Sequence, residues 1–475
     1  MRRLGWAALA LLAACVSPPP YHPPKPEVPV AWKVEEPFRQ GTPRDAAPKG
    51  AWWLRFGDDT LSSLAARALA DSPTLAAAGA RLVQARATFA AASGQAWPQI
   101  SANVRDTRVR ITQNRPLNNN AAPNFSTTQN DAVVSLTASY EVDFGGRVRS
   151  VIAGARASAE QAAADLETAR LLLTADLATA YFNLRQTDIE IQVLASSIDL
   201  QRRSLELART RHELGAGSAL DVAQQQALID TTLTQIDILR RQRALFEHAI
   251  AALIGTPAPL FSLPPDAREL RAPDVPIGVP SDILERRPDV ASAERAMAAA
   301  NAQIGVANAA FYPSISLGAS LGQESRKLPT LLDAPSLVWS LGVSAAQPLF
   351  DGGRIRANAD FARAGYDVAV ANYRRVVLTA MQEAEDGIIG LAALERASLQ
   401  AATAVESARR TLDLVNVRCE GGVASPLEVI SAQQSLLNAE RLASQLVGQR
   451  LLTAVFLVKA LGGDWEGPQK AMMGG

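Results

Sequence analysis

Two segments of the chain are too long and too regular to fold back into a compact globule. Residues 147–212 contain no proline and would form a helix of roughly 100 Å at about 1.5 Å rise per residue. Apolar residues recur there at the a and d positions of a heptad, interrupted by Thr187 and Gln201. A matching track runs through residues 354–420. We therefore expect long helices that pack side by side as a rod or a tube. The apolar track of the first segment is Leu173, Leu177, Ala180, Leu184, Ile191, Leu194, Ile198 and Leu205.

The long segments belong to a unit that occurs twice. Gly145-Gly146-Arg147 matches Gly352-Gly353-Arg354 at an offset of 207 residues. The pattern Arg-x-x-x-Gly-x-x-Ser-x-Leu occurs at 211–220 and, at the same offset, at 418–427. Earlier landmarks match at an offset of 215, so one length change separates two constant offsets, which indicates an internal duplication. Each copy is predicted to contain a helix, two strands and two long helices that meet at a glycine-containing turn.

Four segments alternate apolar with polar residues, a pattern typical of strands that have one apolar face. They lie at 100–111, 133–144, 315–322 and 339–345, and each pair follows an alanine-rich helix predicted at about 60–94 or 281–310. In the first segment the alternation changes parity between Val104 and Val109, which predicts a bulge. Glycine, serine and charged residues fill the second face, as expected for a water-filled barrel. The alternative is a soluble sheet packed on helices.

Aromatic residues near the ends of these strands favour the membrane barrel, because such barrels carry aromatic girdles where they meet the interface. The residues are Trp97, Phe144, Phe311, Tyr312 and Phe350.

The N-terminus has the features of a signal peptide that ends at a lipid-attachment cysteine. Arg2 and Arg3 precede a short apolar run that ends at Ala14. Small residues directly before Cys15 resemble a lipobox, so we expect a covalent lipid on Cys15; a signal peptide that merely contains a cysteine is the alternative. Val16 is not the aspartate associated with retention at the inner membrane, so the outer membrane is the expected destination. The predicted organisation is a signal peptide (1–14), a proline-rich tether (15–58), a first repeat (59–255), a proline-rich linker (256–280), a second repeat (281–463) and a tail (464–475).

Composition and side-chain spacing argue against nucleic-acid binding and catalysis. Lysine plus arginine equal aspartate plus glutamate at 47 each, whereas nucleic-acid binders usually carry a basic stripe. His22, His212 and His248 are isolated and lack the spacing of a zinc site. The two Gly-Gly pairs are not followed by the Gly-Lys-Ser/Thr of a phosphate loop, so they are interpreted as strand-to-helix turns. We expect no enzyme activity, no metal and no cofactor apart from the lipid.

If the four strands lie in a membrane, the chain is predicted to assemble with further copies of itself. An open sheet edge is not tolerated in lipid, so four strands require other copies to close a barrel. Two copies would give about eight strands, whose interior side chains normally fill, whereas three would give about twelve and leave a lumen. A channel therefore favours a trimer over a dimer. Apart from the N-terminal run, no stretch of about 20 apolar residues predicts a transmembrane helix.

The order of these helices, strands and turns, together with several local motifs, resembles the TolC/OprM outer-membrane efflux family, specifically its lipoprotein branch. The resemblance covers nearly the whole mature chain and includes the residues Pro280 to Val290, Ala300 to Ala307, Phe311 to Leu317 and Leu349 to Arg354. It implies an α+β membrane protein in which long antiparallel helical hairpins form a periplasmic α-barrel. It also implies that four strands per chain contribute to a trimeric twelve-stranded transmembrane β-barrel. The implied partners are an inner-membrane pump of the resistance-nodulation-division type and a periplasmic adaptor.

The resemblance also implies roles for residues at the turns between the long helices. The rim formed by these turns is expected to contact the adaptor through Leu214, Gly215, Ser218, Gly421, Gly422 and Ser425. The family places a leucine ring and an acidic ring just beyond the second turn, as a gate. Leu427 matches the leucine, but Ser431 stands at the acidic position, with Glu428 as the nearest carboxylate. His212 and Cys419 stand where an aromatic residue is common. Cys419 is either a free thiol near the turn or a small apolar residue in a helix contact.

The predicted function is an outer-membrane exit duct that passively conducts small molecules such as drugs from a tripartite pump to the exterior. Two alternatives remain at this stage. One is an outer-membrane duct for type I protein secretion, and the other is a lipid-anchored periplasmic coiled-coil scaffold that never inserts. The sequence does not identify the transported substrate.

Overall fold

The computed structural model describes residues 21, 50–112, 127–268, 270–273 and 286–463. Cys15, the predicted signal peptide and the predicted tail lie outside these residues. The helices of the described part are α1 (Asp59–Asp71), α2 (Pro73–Gly94), α3 (Arg147–Glu213), α4 (Ala219–Leu253), α5 (Pro288–Ala309), α6 (Arg354–Glu420) and α7 (Pro426–Ala460). The strands are β1 (Gln99–Ile111), β2 (Thr127–Val142), β3 (Ser314–Ser325) and β4 (Leu337–Ala346).

The two long hairpins are equal in length. Helices α3 and α6 each contain 67 residues, and α4 and α7 each contain 35. The bounds of α3 and α6 differ by the same offset of 207 residues that relates the two turn patterns.

The predicted heptad track of α3 is the buried side of the helix. Leu177, Leu184 and Leu194 are fully buried, and the polar interruptions Thr187 and Gln201 are buried with them. The Oγ1 of Thr187 donates to the carbonyl of Asn183, 2.7 Å away. The Gln201 amide nitrogen donates to the hydroxyl of Ser197 at 3.1 Å. The side-chain donors of both polar residues therefore find partners within their own helix.

The four strands form one antiparallel sheet in the order β1-β2-β3-β4. Pairing of β1 with β2 is continuous from Gln99↔Ser139 to Ile111↔Thr127. The prediction of a bulge in β1 is therefore wrong, because the register is continuous. Val109 is instead an apolar residue on the face opposite to that of Val104. The central pair β2 and β3 joins the two halves of the sequence, from Ala132↔Ser325 to Val142↔Ile315.

The helix predicted at 60–94 is two helices, which corrects the sequence interpretation. Ser72 has an extended backbone, with φ −67° and ψ 121°, and ends α1. Pro73 then begins α2, because a residue before proline is disfavoured in the helical region while proline itself suits the first helical position. In the second half α5 likewise begins at a proline, Pro288, directly after Arg287, whereas residues 281–285 of the predicted helix lie outside the described residues.

Contacts between Cα atoms divide the chain into two compact units, and each unit contains residues of both predicted repeats. The first comprises the described residues of 82–162 together with 293–373 and Tyr21, and it holds the sheet. The second comprises the described residues of 26–81, 163–292 and 374–475, and it holds both turns between long helices. In the first unit the two repeats are joined by the pairing of β2 with β3, and in the second by the shared apolar core.

The largest apolar core of the described residues lies in the second unit and is formed by α1, the middle of α3, the middle of α6 and the end of α7. Leu61, Leu177, Tyr181, Ile388 and Leu457 are each fully buried there. Complete burial of a leucine-sized side chain contributes about 1.5–3 kcal/mol, so this core is a principal source of stability for the unit.

An ion-pair cluster holds the segment after α4 against the long helices. Asp188 on α3 accepts from Arg185 Nη1 at 3.2 Å and from Arg243 Nε at 2.6 Å. Arg185 and Asp188 are only 2% exposed, and Arg243 Nη2 also donates to the carbonyl of Leu263 at 2.6 Å. The main-chain nitrogen of Asp266 donates to the Asp188 carboxylate at 3.1 Å. A single carboxylate therefore ties α3, α4 and the following segment together.

Candidate functional site

One face of the sheet is apolar and open to the surroundings. The register aligns Ile100, Ala138, Ala319 and Leu341 across all four strands, and Leu136, Leu321 and Trp339 form the next row. Ile100 is 73% exposed and Leu341 78% exposed. Soluble monomers rarely expose apolar patches of this kind, so this face requires a partner or a lipid environment. It therefore corresponds to the predicted lipid-facing side.

The opposite face is polar and its side chains are small. Ser139 aligns with Gly318 and Gly342, and Thr137 aligns with Ser320 and Ser340. Hydroxyl groups bond across the strands, with Ser320 Oγ and Ser340 Oγ 2.8 Å apart. A surface that is polar and low in volume suits the wall of a water-filled passage.

The predicted aromatic residues all lie at the same end of the sheet. Trp97 and Tyr312 precede β1 and β3, while Phe144 and Phe350 follow β2 and β4, and antiparallel order brings these positions together. Phe144 and Tyr312 pack edge to face with ring centres 6.5 Å apart. Phe350 is 93% exposed. The helices begin at this end, so the aromatic residues mark the boundary between sheet and helices, where an interfacial girdle would be needed.

The Gly-Gly pairs turn the chain from strand to helix, as predicted. Gly146 and Gly353 have φ of 75° and 87°, values that other residues rarely adopt. An aspartate caps the helix that follows in each case. Asp143 accepts from the main-chain nitrogen of Val148 at 2.9 Å, and Asp351 accepts from that of Ile355 at 2.7 Å.

The first turn between long helices, 214–218, is closed by backbone bonds and a capping box. Gly215 has φ of 74°, and its nitrogen donates to the carbonyl of His212 at 3.0 Å. The hydroxyl of Ser218 accepts from the nitrogen of Leu220, and the Asp221 carboxylate accepts from the nitrogen of Ser218. This reciprocal pairing satisfies donors that the first turn of α4 would otherwise leave free.

The second turn, 421–425, has the same construction. Gly422 has φ of 74°, and Ser425 forms a capping box with Glu428, whose carboxylate accepts from the Ser425 nitrogen at 2.9 Å. This bond from the Ser425 nitrogen, joined by that from its hydroxyl, holds the pKa of Glu428 below its ordinary value. The six predicted adaptor-contact residues are all exposed: Leu214, Gly215, Ser218, Gly421, Gly422 and Ser425.

The three predicted gate residues differ in their surroundings. Leu427 is 55% exposed although it is apolar, and Ser431 is exposed one helical turn further along α7. Glu428 is occupied by capping its own helix, which sequence reasoning missed, although the Ser-x-x-Glu spacing is a known capping signal. Its role in a gate stays a prediction.

Arg211 joins the two turns, and sequence reasoning missed this contact too. Its Nη2 donates to the carbonyl of Cys419 at 3.0 Å, and its Nη1 lies 3.4 Å from the Sγ of Cys419. Cys419 is 5% exposed and packs with Leu412, Val429 and Leu436. It is therefore a small residue in a helix contact. The signal available in the sequence was the arginine that recurs at the same position of both turn patterns.

Among the described residues, no group of three or more histidine, cysteine, aspartate or glutamate side chains could hold a metal ion. By length and composition alone, one described helix, α6, is apolar enough to cross a membrane. A single such window is weak evidence, because α6 is 67 residues long and a span needs only about 20.

Comparison with known proteins identifies the family. The model of the family described as outer membrane efflux protein matches residues 64–256 and 279–463. The chain belongs to this family. Its members are channels rather than enzymes, and the chain is accordingly an outer-membrane efflux channel with a large periplasmic portion.

Individual relatives and structures agree with the family assignment. The chain is 33% identical to the pyoverdine export outer membrane protein OpmQ of Pseudomonas aeruginosa, over 98% of this chain and 97% of OpmQ. It is 30% identical to the toluene efflux pump outer membrane protein TtgF of Pseudomonas putida, over 98% of this chain and 97% of TtgF. The solved structure of the outer-membrane channel OprN superposes with a TM-score of 0.88 at 27% identity, covering 95% of this chain and 100% of OprN. The chain therefore has the fold of TolC-like channels.

Proposed function

We propose that three copies of this chain form a passive exit duct for small organic molecules, anchored by a lipid on Cys15 and served by a periplasmic adaptor and an inner-membrane pump. The sheet is the observation that supports this proposal most directly. It has an apolar face, a polar face of small side chains and two edge strands, β1 and β4, each with one unpaired side.

The edges set the number of copies. In the described part of the chain, β1 and β4 each pair on one side only, and unpaired backbone groups cannot lie in lipid. Joining β1 of one copy to β4 of the next removes every edge if the copies close into a ring. Three copies supply about twelve strands, which is the smallest ring of these sheets that leaves room for solute.

The polar face supports conduction rather than selective binding. Serine and glycine rows offer few large side chains to obstruct a solute, and the described strands place no cluster of like charges on that face. The relatives named for pyoverdine and toluene export differ greatly in polarity of cargo. Because relatives of one family are named for such different cargoes, we expect the choice of substrate to be made by the pump rather than by the duct.

Native mass in detergent tests the proposal. A Cys15→Ser variant with a cleavable signal lacks the lipid, so the strands become the only reason for it to need detergent. We expect a detergent-dependent species of three chains, matched by the wild-type protein. A monomer released from membranes by salt alone would contradict the duct and favour a periplasmic scaffold.

A further inference from the structure

The contact between the two turns occurs once within the chain, although the chain contains two equivalent hairpins. Arg211 belongs to the first hairpin (α3 and α4), and it binds the Cys419 carbonyl in the second hairpin (α6 and α7). At the offset of 207 residues, Arg418 is the equivalent of Arg211 and Cys419 is the equivalent of His212. Each hairpin therefore carries both the arginine and the residue that an arginine binds.

The equivalent pair, Arg418 and His212, does not form this contact within one chain. Arg418 is exposed and, among the residues that the structure describes, has no hydrogen-bond or ion-pair partner, only the longer-range attraction of Glu428. Cys419 is buried against Leu412, Val429 and Leu436 of its own hairpin and its carbonyl accepts from Arg211, whereas its equivalent, His212, is exposed. Both carbonyls accept from a turn glycine, His212 from the Gly215 nitrogen at 3.0 Å and Cys419 from the Gly422 nitrogen at 3.1 Å, and the Cys419 carbonyl accepts in addition from an arginine.

A second contact between the hairpins has the same property. The amide nitrogen of Gln433 on α7 donates to the hydroxyl of Ser204 on α3 at 2.7 Å. The equivalent residues are Gln226 on α4 and Thr411 on α6, which retain an amide and a hydroxyl. Thr411 is exposed, and the Gln226 amide uses one hydrogen for Asp230 and keeps another. For both contacts, the chain therefore contains two sets of donor and acceptor groups, and only one set forms a contact between its hairpins.

We propose that Arg418 of one copy donates to the main-chain carbonyl of His212 in the neighbouring copy, repeating between copies the contact that Arg211 makes within a copy. This inference rests on the proposed assembly. When one surface of a hairpin fits the other surface of the next, the contact is head-to-tail, and it closes into a ring if the rotation allows. The turns would then be joined around the whole rim, alternately within and between copies.

Cross-linking of cysteine pairs tests this contact. In a Cys419→Ala background, the pair Arg418→Cys and His212→Cys is treated in the assembled protein with a short bismaleimide. We expect denaturing gels to show most of the protein in bands of two and three chain masses. The matched control pairs His212→Cys with Arg410→Cys, which lies eight residues earlier on α6, about 12 Å along the helix, and should give only the single-chain band.

The outcomes separate this contact from the proposed function. A three-chain native mass with no cross-linked bands, or equal bands from the Arg410 control, overturns the contact and leaves the duct standing. A monomeric wild-type protein overturns both. If the first pair does not assemble, Thr411→Cys with Gln226→Cys probes the second contact at exposed or half-exposed sites. Cross-linked bands there support the arrangement, and their absence in an assembled protein overturns it.

Discussion

At the scale of single residues, the capping box of each turn uses the side chains of two polar residues and leaves the leucine between them exposed. Ser425 and Glu428 cap α7, so their polar atoms are engaged, whereas Leu427 between them projects an apolar side chain outward. Leu220 stands at the same position of the first turn and is 63% exposed. An exposed leucine at a narrow end of a channel would form an apolar constriction that hydrated solutes cross with difficulty.

Leu427→Ala should raise the conductance of the purified channel in planar bilayers, because a smaller ring leaves room for water. Leu220→Ala is the matched control, and it should change conductance less if the second turn forms the constriction. Unchanged conductance of an assembled Leu427→Ala protein would remove this residue from the gate.

At the scale of elements, the long helices depend on a few buried polar contacts as well as on their heptads. Asp188 is the common acceptor for two arginines, and both Asp188 and Arg185 are almost completely buried. Removing one member of a buried ion pair leaves the others without a partner in a poorly solvated site, which costs about 3–5 kcal/mol. An exposed pair on a helix surface contributes about 0–1 kcal/mol.

Asp188→Ala should therefore lower the thermal unfolding midpoint of the detergent-solubilised protein far more than Asp237→Ala. Asp237 also pairs with an arginine, Arg240, but both side chains are largely exposed. Circular dichroism at rising temperature measures both variants against the wild type. Equal shifts would show that the buried cluster does not hold the segment after α4 in place.

At the scale of the whole molecule, two adjacent residues of β4 test which face meets lipid. Leu341 lies on the apolar face, and Ser340 lies on the polar face, where it bonds to Ser320. Leu341→Arg should impair insertion into the outer membrane, since an arginine on the lipid face costs about 2–4 kcal/mol at mid-bilayer. Ser340→Arg should insert normally and lower cation conductance. Membrane fractionation and single-channel recording check the pair, and the reverse pattern would exchange the two faces.

Periodicity predicted the elements well and the contacts between distant residues poorly. The helix predicted at 147–212 is Arg147–Glu213, and all four strands were located, because heptads and alternation are local signals. The break at Pro73 was also readable from the proline itself. The Arg211–Cys419 contact and the Asp188 cluster join residues far apart in sequence, and no spacing rule marks such pairs. Cys15 lies outside the described residues, and its lipidation stays a prediction.

The pairing of β2 with β3 has a consequence for the order in which the protein can mature. These strands come from opposite halves of the sequence, so the first half can form only the two-stranded β1–β2 hairpin. An isolated hairpin is marginally stable in water. The nascent chain therefore reaches the periplasm with an incomplete sheet until β4, which ends at Ala346, has followed. A chain that ends within the linker would lack both β3 and β4, so β2 would keep an unpaired edge, which cannot lie in lipid.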